Sequence, residues 1–279
     1  MHAVLKIIYK GVAIMISIYD NSYLFTYCII VAICLGACMG SFLNCAAWRI
    51  VYGESFLSGR SHCPNCGHAL TAVELIPIIS WLIQKGRCKN CKAKISARYP
   101  LTEIVFAVIT ILCLLRFDLT VLCLRNYIFI CCLFLLSLTD MDSMIIPDGC
   151  HIVSIVTWFM ALPFLFTGWM PVLFSVLSAF LFGGGLLLVS VFMDKKLGRT
   201  SMGGGDIKLF FVVGLYLGFV GTLFVLILSC VIGLVFKVIF DRKNMKKAFP
   251  FGPAIAISTM GMLLYGEPFI RWYMDLIHA

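Results

Sequence analysis

The length of the apolar runs constrains this chain more than any other feature. From 23 to 48 the sequence carries no Lys, Arg, Asp or Glu. A run of about 18 or more such residues is long enough to cross a bilayer as a helix. A helix also pairs its own backbone amides and carbonyls, which lipid cannot do. Further apolar runs lie at about 101–117, 121–139, 151–168, 171–193, 207–220, 221–240 and 251–266. Hydrophobic residues make up 62% of the chain and charged residues 13%, against about 25% charged in a soluble domain. The expected fold is therefore an all-α polytopic membrane protein of about eight transmembrane helices, with the bilayer as its main solvent.

Charge sets the orientation. The formal net charge is +9, but most of the Lys and Arg sit in three segments between spans. Segment 49–99 holds Arg49, Arg60, Lys85, Arg87, Lys89, Lys92, Lys94 and Arg98. Segment 194–208 holds Lys195, Lys196, Arg199 and Lys208, and segment 241–250 holds Arg242, Lys243, Lys246 and Lys247. Eight spans place all three on one side, and the positive-inside tendency makes that side the cytosol, with both termini outside. Basic loops of this kind are a topology signal, so the charge implies no nucleic-acid partner. Residues 1–22, with Lys6 and Lys10, read as an amphipathic or flexible leader on the outer side.

Segment 49–99 contains Cys63-Pro-Asn-Cys66 and Cys88-Lys-Asn-Cys91. Two such knuckles suit a closed tetrahedral thiolate site for structural zinc, with Cys63, Cys66, Cys88 and Cys91 as ligands. In a cytosolic loop the alternative, disulfides, is disfavoured because thiols stay reduced. Gly67 follows the first knuckle, where a tight turn needs a permissive backbone. The other ten cysteines lie in or beside apolar runs and read as small hydrophobes.

Acids at the ends of spans are costly, and each is a functional hypothesis. Asp140 ends the run 121–139, and Asp206 opens the run 207–220 after Gly203-Gly204-Gly205. Two carboxyls sharing a site hold one proton between them, the arrangement an aspartyl peptidase needs to activate water. Gly203 and Gly205 would bring backbone close to a substrate strand or supply a positive-φ turn. Asp142, two residues on, points to another helix face, and Asp148 after Pro147 reads as a helix N-cap. Lys208 reads as a snorkelling cation. Helix dipoles alone would leave the proton on Asp140, at a C-terminus, and ionise Asp206, at an N-terminus. Gly183-Gly184-Gly185, inside a span, reads as a close helix contact.

These motifs, in this order, resemble the bacterial type IV prepilin peptidases, membrane aspartyl peptidases with a Gly-x-Gly-Asp motif. The resemblance runs from about 36 to 240. It rests on Gly40-Ser41-Phe42-Leu43-Asn44, the two cysteine knuckles, Ser80-Trp81-Leu82, Ile95-Ser96-Ala97-Arg98-Tyr99-Pro100 with Glu103, Asp140-Met-Asp142 before Ile146-Pro147-Asp148, and Gly203 to Lys208. It implies catalytic roles for Asp140 and Asp206 and zinc on the four cysteines. It further implies removal of a short basic leader from prepilins or pseudopilins, after a glycine, at the cytoplasmic face of a bacterial inner membrane. Methylation of the new N-terminus with S-adenosylmethionine is implied too, with no donor site assignable to residues. The expected organisation is a segment 1–22, a first span 23–48, a cytoplasmic zinc-binding domain 49–99, a transmembrane peptidase domain 100–266 and a tail 267–279. Two rival readings are a membrane methyltransferase without major peptidase activity and an ion-coupled transporter. Cofactor dependence separates the first, and ion flux the second.

Overall fold

The computed structural model describes residues 14–55, 59–166, 168–198, 202–240 and 249–278. Most of segment 1–22 and of the basic segment 241–250, and Arg199, lie outside them. The described residues form two compact units, one within Met15–Leu119 and one from Thr120 onward.

The first unit contains α1 (Ser22–Val51), the short α2 (Ile79–Ile83) and α3 (Arg98–Phe117). The Asn21 side chain accepts from the Tyr23 amide at 2.8 Å and starts α1, satisfying an amide that has no partner within the helix. Helices α1 and α3 pack together, and the contact is set by two glycines one turn apart. A Cβ on Gly36 would lie 2.6 Å from Ala107 Cα, and one on Gly40 would lie 2.9 Å from Glu103 Cα. Only glycine permits this backbone approach, the usual device where lipid supplies no hydrophobic drive between helices. Asn44 Nδ2 then donates to Thr102 Oγ1 at 3.1 Å across the same seam. Helix α3 stops at Asp118, whose backbone turns left-handed (φ 55°).

The second unit contains α4 (Val121–Ser143), α5 (Asp148–Leu165), α6 (Trp169–Leu197), α7 (Gly204–Phe240) and α8 (Gly252–His278). Thr120 caps α4 by accepting from the Cys123 amide at 3.1 Å. At the other end Met144 turns left-handed and returns its amide to the Asp140 carbonyl at 2.9 Å. Pro147, which lacks an amide proton, then precedes α5. Phe129 of α4 stacks on Tyr216 of α7 with ring centroids 4.0 Å apart, the Arg125 guanidinium lies over the Tyr216 ring at 4.8 Å, and the Tyr216 hydroxyl donates to the Ser154 carbonyl of α5. These contacts join α4, α5 and α7 around one buried ring.

Six helices among the described residues are long and apolar enough to cross a membrane: α1, α3, α4, α5, α6 and α7. The expected count is eight, and the difference lies in two places. The runs 207–220 and 221–240 share α7, which Gly218 breaks with φ 65° and ψ −168°. The run 251–266 belongs to α8, which continues to His278. Large apolar side chains stand exposed along these helices, Leu188 at 73% and Phe159 at 62% among them, as lipid-facing surface requires. The chain is thus a multi-pass, mostly helical membrane protein. Of the Gly183–Gly185 run only Gly183 lies against a neighbouring helix, where a Cβ would stand 2.8 Å from Phe211 Cβ; at Gly184 and Gly185 a Cβ would meet open space.

Candidate active site and metal centre

Asp140 lies in the last turn of α4 and is buried, 5% exposed, while Asp142 is exposed. Its position follows from the apolar run before it, which buries Leu133, Leu136 and Leu138 and carries the carboxyl to the helix end. Oδ2 of Asp140 accepts a hydrogen bond at 2.8 Å from the amide of Gly252, the first residue of α8. A Cβ on Gly252 would itself stand 2.8 Å from that oxygen, so the approach requires glycine.

Asp206 opens α7. Its amide bonds the Gly203 carbonyl at 3.1 Å, and its Oδ1 is buried with no hydrogen-bond partner. The residue before it, Gly205, packs on Ile146, six positions beyond Asp140: a Cβ there would lie 2.8 Å from Ile146 Cβ. None of Gly203, Gly204 and Gly205 has positive φ. The expected positive-φ turn is absent, and the close contacts these glycines make are to residues of the same chain. Gly203 sits against the Asp206 carboxylate and Gly205 against Ile146.

Two neighbours behave differently from their sequence reading. Asp148 is the first residue of α5, and Pro147 holds the cap position. Lys208 does not stand alone, because its Nζ bonds Asp148 Oδ1 at 2.7 Å. Gly252 is the residue that sequence reasoning missed. Its only signal was a Gly-Pro pair at the head of an apolar run, which marks a helix start but not what the start faces.

In the first unit Cys63, Cys66, Cys88 and Cys91 place all four sulfurs within 4.8 Å of one another. Thiolates about 2.3 Å from one tetrahedral metal ion lie roughly 3.8 Å apart, and Cys63 and Cys91 are 3.9 Å apart. Two matching hairpins build the site. The Cys63 amide bonds the His68 carbonyl, and the Cys88 amide bonds the Ala93 carbonyl. The third residue of each knuckle reaches across to the other: Asn65 Nδ2 donates to Cys91 Sγ at 3.6 Å, and Asn90 Nδ2 to Cys66 Sγ at 3.7 Å. The amide of Ala93, with Asn65, holds the Cys91 thiol down at about 6. Donors aimed at sulfur stabilise thiolates, so the four residues fit a metal ion as a closed set. Gly67 turns with φ 70°, and Lys92 occupies the equivalent place with φ 60°.

Comparison with known proteins agrees with this layout. Residues 34–117 match the bacterial peptidase A24 N-terminal domain, and residues 127–238 match the type IV leader peptidase family. A prepilin leader peptidase/N-methyltransferase of Aeromonas salmonicida is 36% identical over 223 residues, covering 78% of this chain and 75% of that protein. The protein of the same description from Bacillus subtilis is 33% identical over 252 residues, covering 86% and 96%. That from Neisseria gonorrhoeae is 30% identical over 263 residues, covering 86% and 91%. No solved structure matches. With both halves matched and relatives at this identity covered for most of their length, the chain belongs to the type IV leader peptidase family, as a membrane enzyme that pairs an aspartic peptidase with an N-methyltransferase.

Proposed function

We propose that this chain removes the leader of type IV prepilins or pseudopilins after a glycine, using Asp140 and Asp206, and then methylates the new N-terminus. The observation that carries the peptidase reading is the unequal environment of two carboxyls, one ending α4 and one opening α7, whose flanking residues Ile146 and Gly205 touch. Asp140 is oriented by the Gly252 amide, whereas Asp206 keeps a buried oxygen without a partner. The Gly252 contact adds the positive end of a second helix at Asp140, and on this reading Asp140 is the ionised member of the pair. In the proposed reaction Asp140 takes a proton from water as the water oxygen attacks the scissile carbonyl. Asp206 donates its proton to the carbonyl oxygen. The tetrahedral diol then collapses: one hydroxyl returns its proton to Asp206 as the carbonyl re-forms, the C–N bond breaks, and the leaving nitrogen takes the proton that Asp140 had received. No covalent enzyme intermediate is needed.

The basic segments 49–99 and 194–208 favour a cytosolic position for the four-cysteine domain and for the dyad, whose members end α4 and open α7. A basic leader in the cytosol and an apolar pilin helix in the bilayer would then meet at Asp140 and Asp206. Zinc is the proposed metal, because four thiolates leave no open position and zinc favours this closed tetrahedral set. S-adenosylmethionine supplies an electrophilic methyl group when bound.

Leader removal from a full-length prepilin, with wild type, Asp140→Asn and Asp206→Asn in vesicles, tests the dyad. Loss of cleavage in both variants, with insertion intact and a pre-cleaved pilin still methylated, is the expected result. Cleavage persisting in either variant removes the dyad and leaves the methyltransferase or transport readings.

A further inference from the structure

The four-cysteine domain carries an apolar edge that its own fold leaves uncovered. Between Val73 and Gln84 the sequence has one charged residue, Glu74. Val73, Leu75, Ile76, Ile79, Leu82 and Ile83 are all exposed, Leu82 at 60% and Ile83 at 73%. A run of large apolar side chains on a surface marks a place where something else docks. Depth and charge both say what covers this one.

Helix α3 has 20 residues, and at about 1.5 Å each they cover roughly the 30 Å of a bilayer's hydrocarbon core. Glu103 stands in the second turn of that helix, at most about 8 Å along its axis from Arg98. Its buried carboxylate accepts the Ile78 amide at 2.6 Å. Ile78 is therefore tied to the outer part of the bilayer, and α2 begins at the next residue. An interfacial helix buries its apolar face to a similar depth, about 5–10 Å. Leu101, Ile104 and Val108 of α3 are exposed on one stripe and carry the lipid-facing surface to the same level.

Charge agrees with depth. The Gly86 amide bonds the Trp81 carbonyl, the Ile95 amide bonds the Gly86 carbonyl, and Trp81 Nε1 donates to the Ile95 carbonyl. These bonds lock α2 to the second cysteine hairpin. Val73 and Ile83 share a cavity of about 670 Å³ with Lys85, Arg87, Lys89 and Lys92 of that hairpin, and all four cations are exposed. Glu74, the acid of the lining, turns Oε2 to the Thr71 amide and hydroxyl, and its side chain is only 5% exposed. The accessible charge is thus positive and lies directly beside apolar side chains. A phospholipid has the complementary order, an anionic phosphate above an apolar chain.

We propose that residues 73–83 seat in the leaflet on which the four-cysteine domain stands. Ile79, Leu82 and Ile83 enter the upper acyl chains, and Lys85, Arg87, Lys89 and Lys92 meet the phosphates. The domain is thereby held against the bilayer by a contact of its own, besides the two spans that flank it.

Ile83→Trp in the full-length chain, reconstituted in vesicles of phosphatidylglycerol and phosphatidylethanolamine, tests the proposal. The emission added over wild type is quenched in turn by lipids brominated near the top of the acyl chain and by aqueous iodide on both sides of the bilayer. Bromolipids should remove about half or more of the added emission, and iodide several-fold less, as for a side chain at the headgroup–acyl boundary. Leu82→Trp carries the same measurement if Ile83→Trp fails to insert. Replacing Lys85, Lys89 and Lys92 by Gln in the reporter protein should raise iodide quenching about twofold or more, as phosphate contacts are lost. Unchanged quenching in that variant overturns the phosphate contact. Iodide quenching as strong as bromolipid quenching overturns the seating and leaves a solvated edge. Added emission that neither agent reaches also overturns it, and gives the edge to protein, a second copy of this chain or a pilin helix.

Discussion

The amide of Gly252 donates to the carboxylate of Asp140 at 2.8 Å across 112 positions of sequence. The bond fixes one carboxyl of the proposed dyad against the N-terminus of α8, and it does so through backbone. No side-chain substitution elsewhere can replace it. The same geometry leaves no room for a β-carbon, which would lie 2.8 Å from Asp140 Oδ2.

Gly252→Ala should therefore displace the carboxyl by a fraction of an ångström to an ångström without removing any ionisable group. Misplacements of about 1 Å cost up to roughly 100-fold in rate. The expected outcome is a 10- to 100-fold fall in kcat for leader cleavage, with KM changed far less and membrane insertion intact. Steady-state kinetics on a synthetic prepilin check it; wild-type kcat would show that Asp140 is not placed by this contact.

Asn65 and Asn90 point their amides at the sulfurs of Cys91 and Cys66. Donors in this outer position typically account for 10- to 100-fold of metal affinity. Asn65→Ala and Asn90→Ala should each release zinc to a competing chelator at concentrations about 10- to 100-fold lower than wild type needs. The matched hairpins predict similar effects at the two positions, and a chelator titration followed by metal analysis measures both.

Much of the site was visible in the sequence because its chemistry is costly where it sits. Asp140 and Asp206 stood out as acids ending and opening apolar runs, and the four cysteines as two knuckles in a polar segment. The contacts that position these groups were not visible. Gly252 acts through a backbone amide, which every residue but proline possesses, so its identity announces nothing. The Lys208–Asp148 pair joins two helices 60 positions apart, and local spacing offered only the solvated readings. The break at Gly218 falls inside an unbroken apolar stretch with several glycines. Hydropathy finds the stretch but cannot choose which glycine turns. The crossed Asn65 and Asn90 contacts had a visible trace, the same Asn at the third place of both knuckles, whose meaning emerges only once the hairpins face each other.

Asp118 gives a pH dependence with a definite sign. Burial pushes its carboxyl up, but the amides of Ile18 at 3.0 Å and Leu119 at 2.7 Å outweigh it and hold the group below its ordinary value of 3.8. A lowered carboxyl contributes stability that is fully present above the ordinary carboxylate range and is lost as pH falls through the folded value. Wild type should lose thermal stability on acidification below about pH 4 more steeply than Asp118→Asn, which keeps the acceptor oxygen but cannot titrate. Parallel slopes of Tm against pH for the two proteins would remove Asp118 as a source of acid sensitivity.

Lys208 and Asp148 form a close pair, 2.7 Å apart, but their side chains are 56% and 66% exposed. Exposed pairs contribute about 0–1 kcal/mol, since water and salt screen the attraction and two long side chains lose freedom. Lys208→Met should therefore leave thermal stability almost unchanged, and any difference should shrink at high salt. Lys208 also stands two residues after Asp206, a spacing that puts the two on different faces of α7. Leader cleavage in Lys208→Met should accordingly stay within about threefold of wild type, equivalent to less than about 0.7 kcal/mol of transition-state stabilisation. A much larger loss of kcat with unchanged stability would place Lys208 among the groups that touch substrate and require a different arrangement of charge around Asp206.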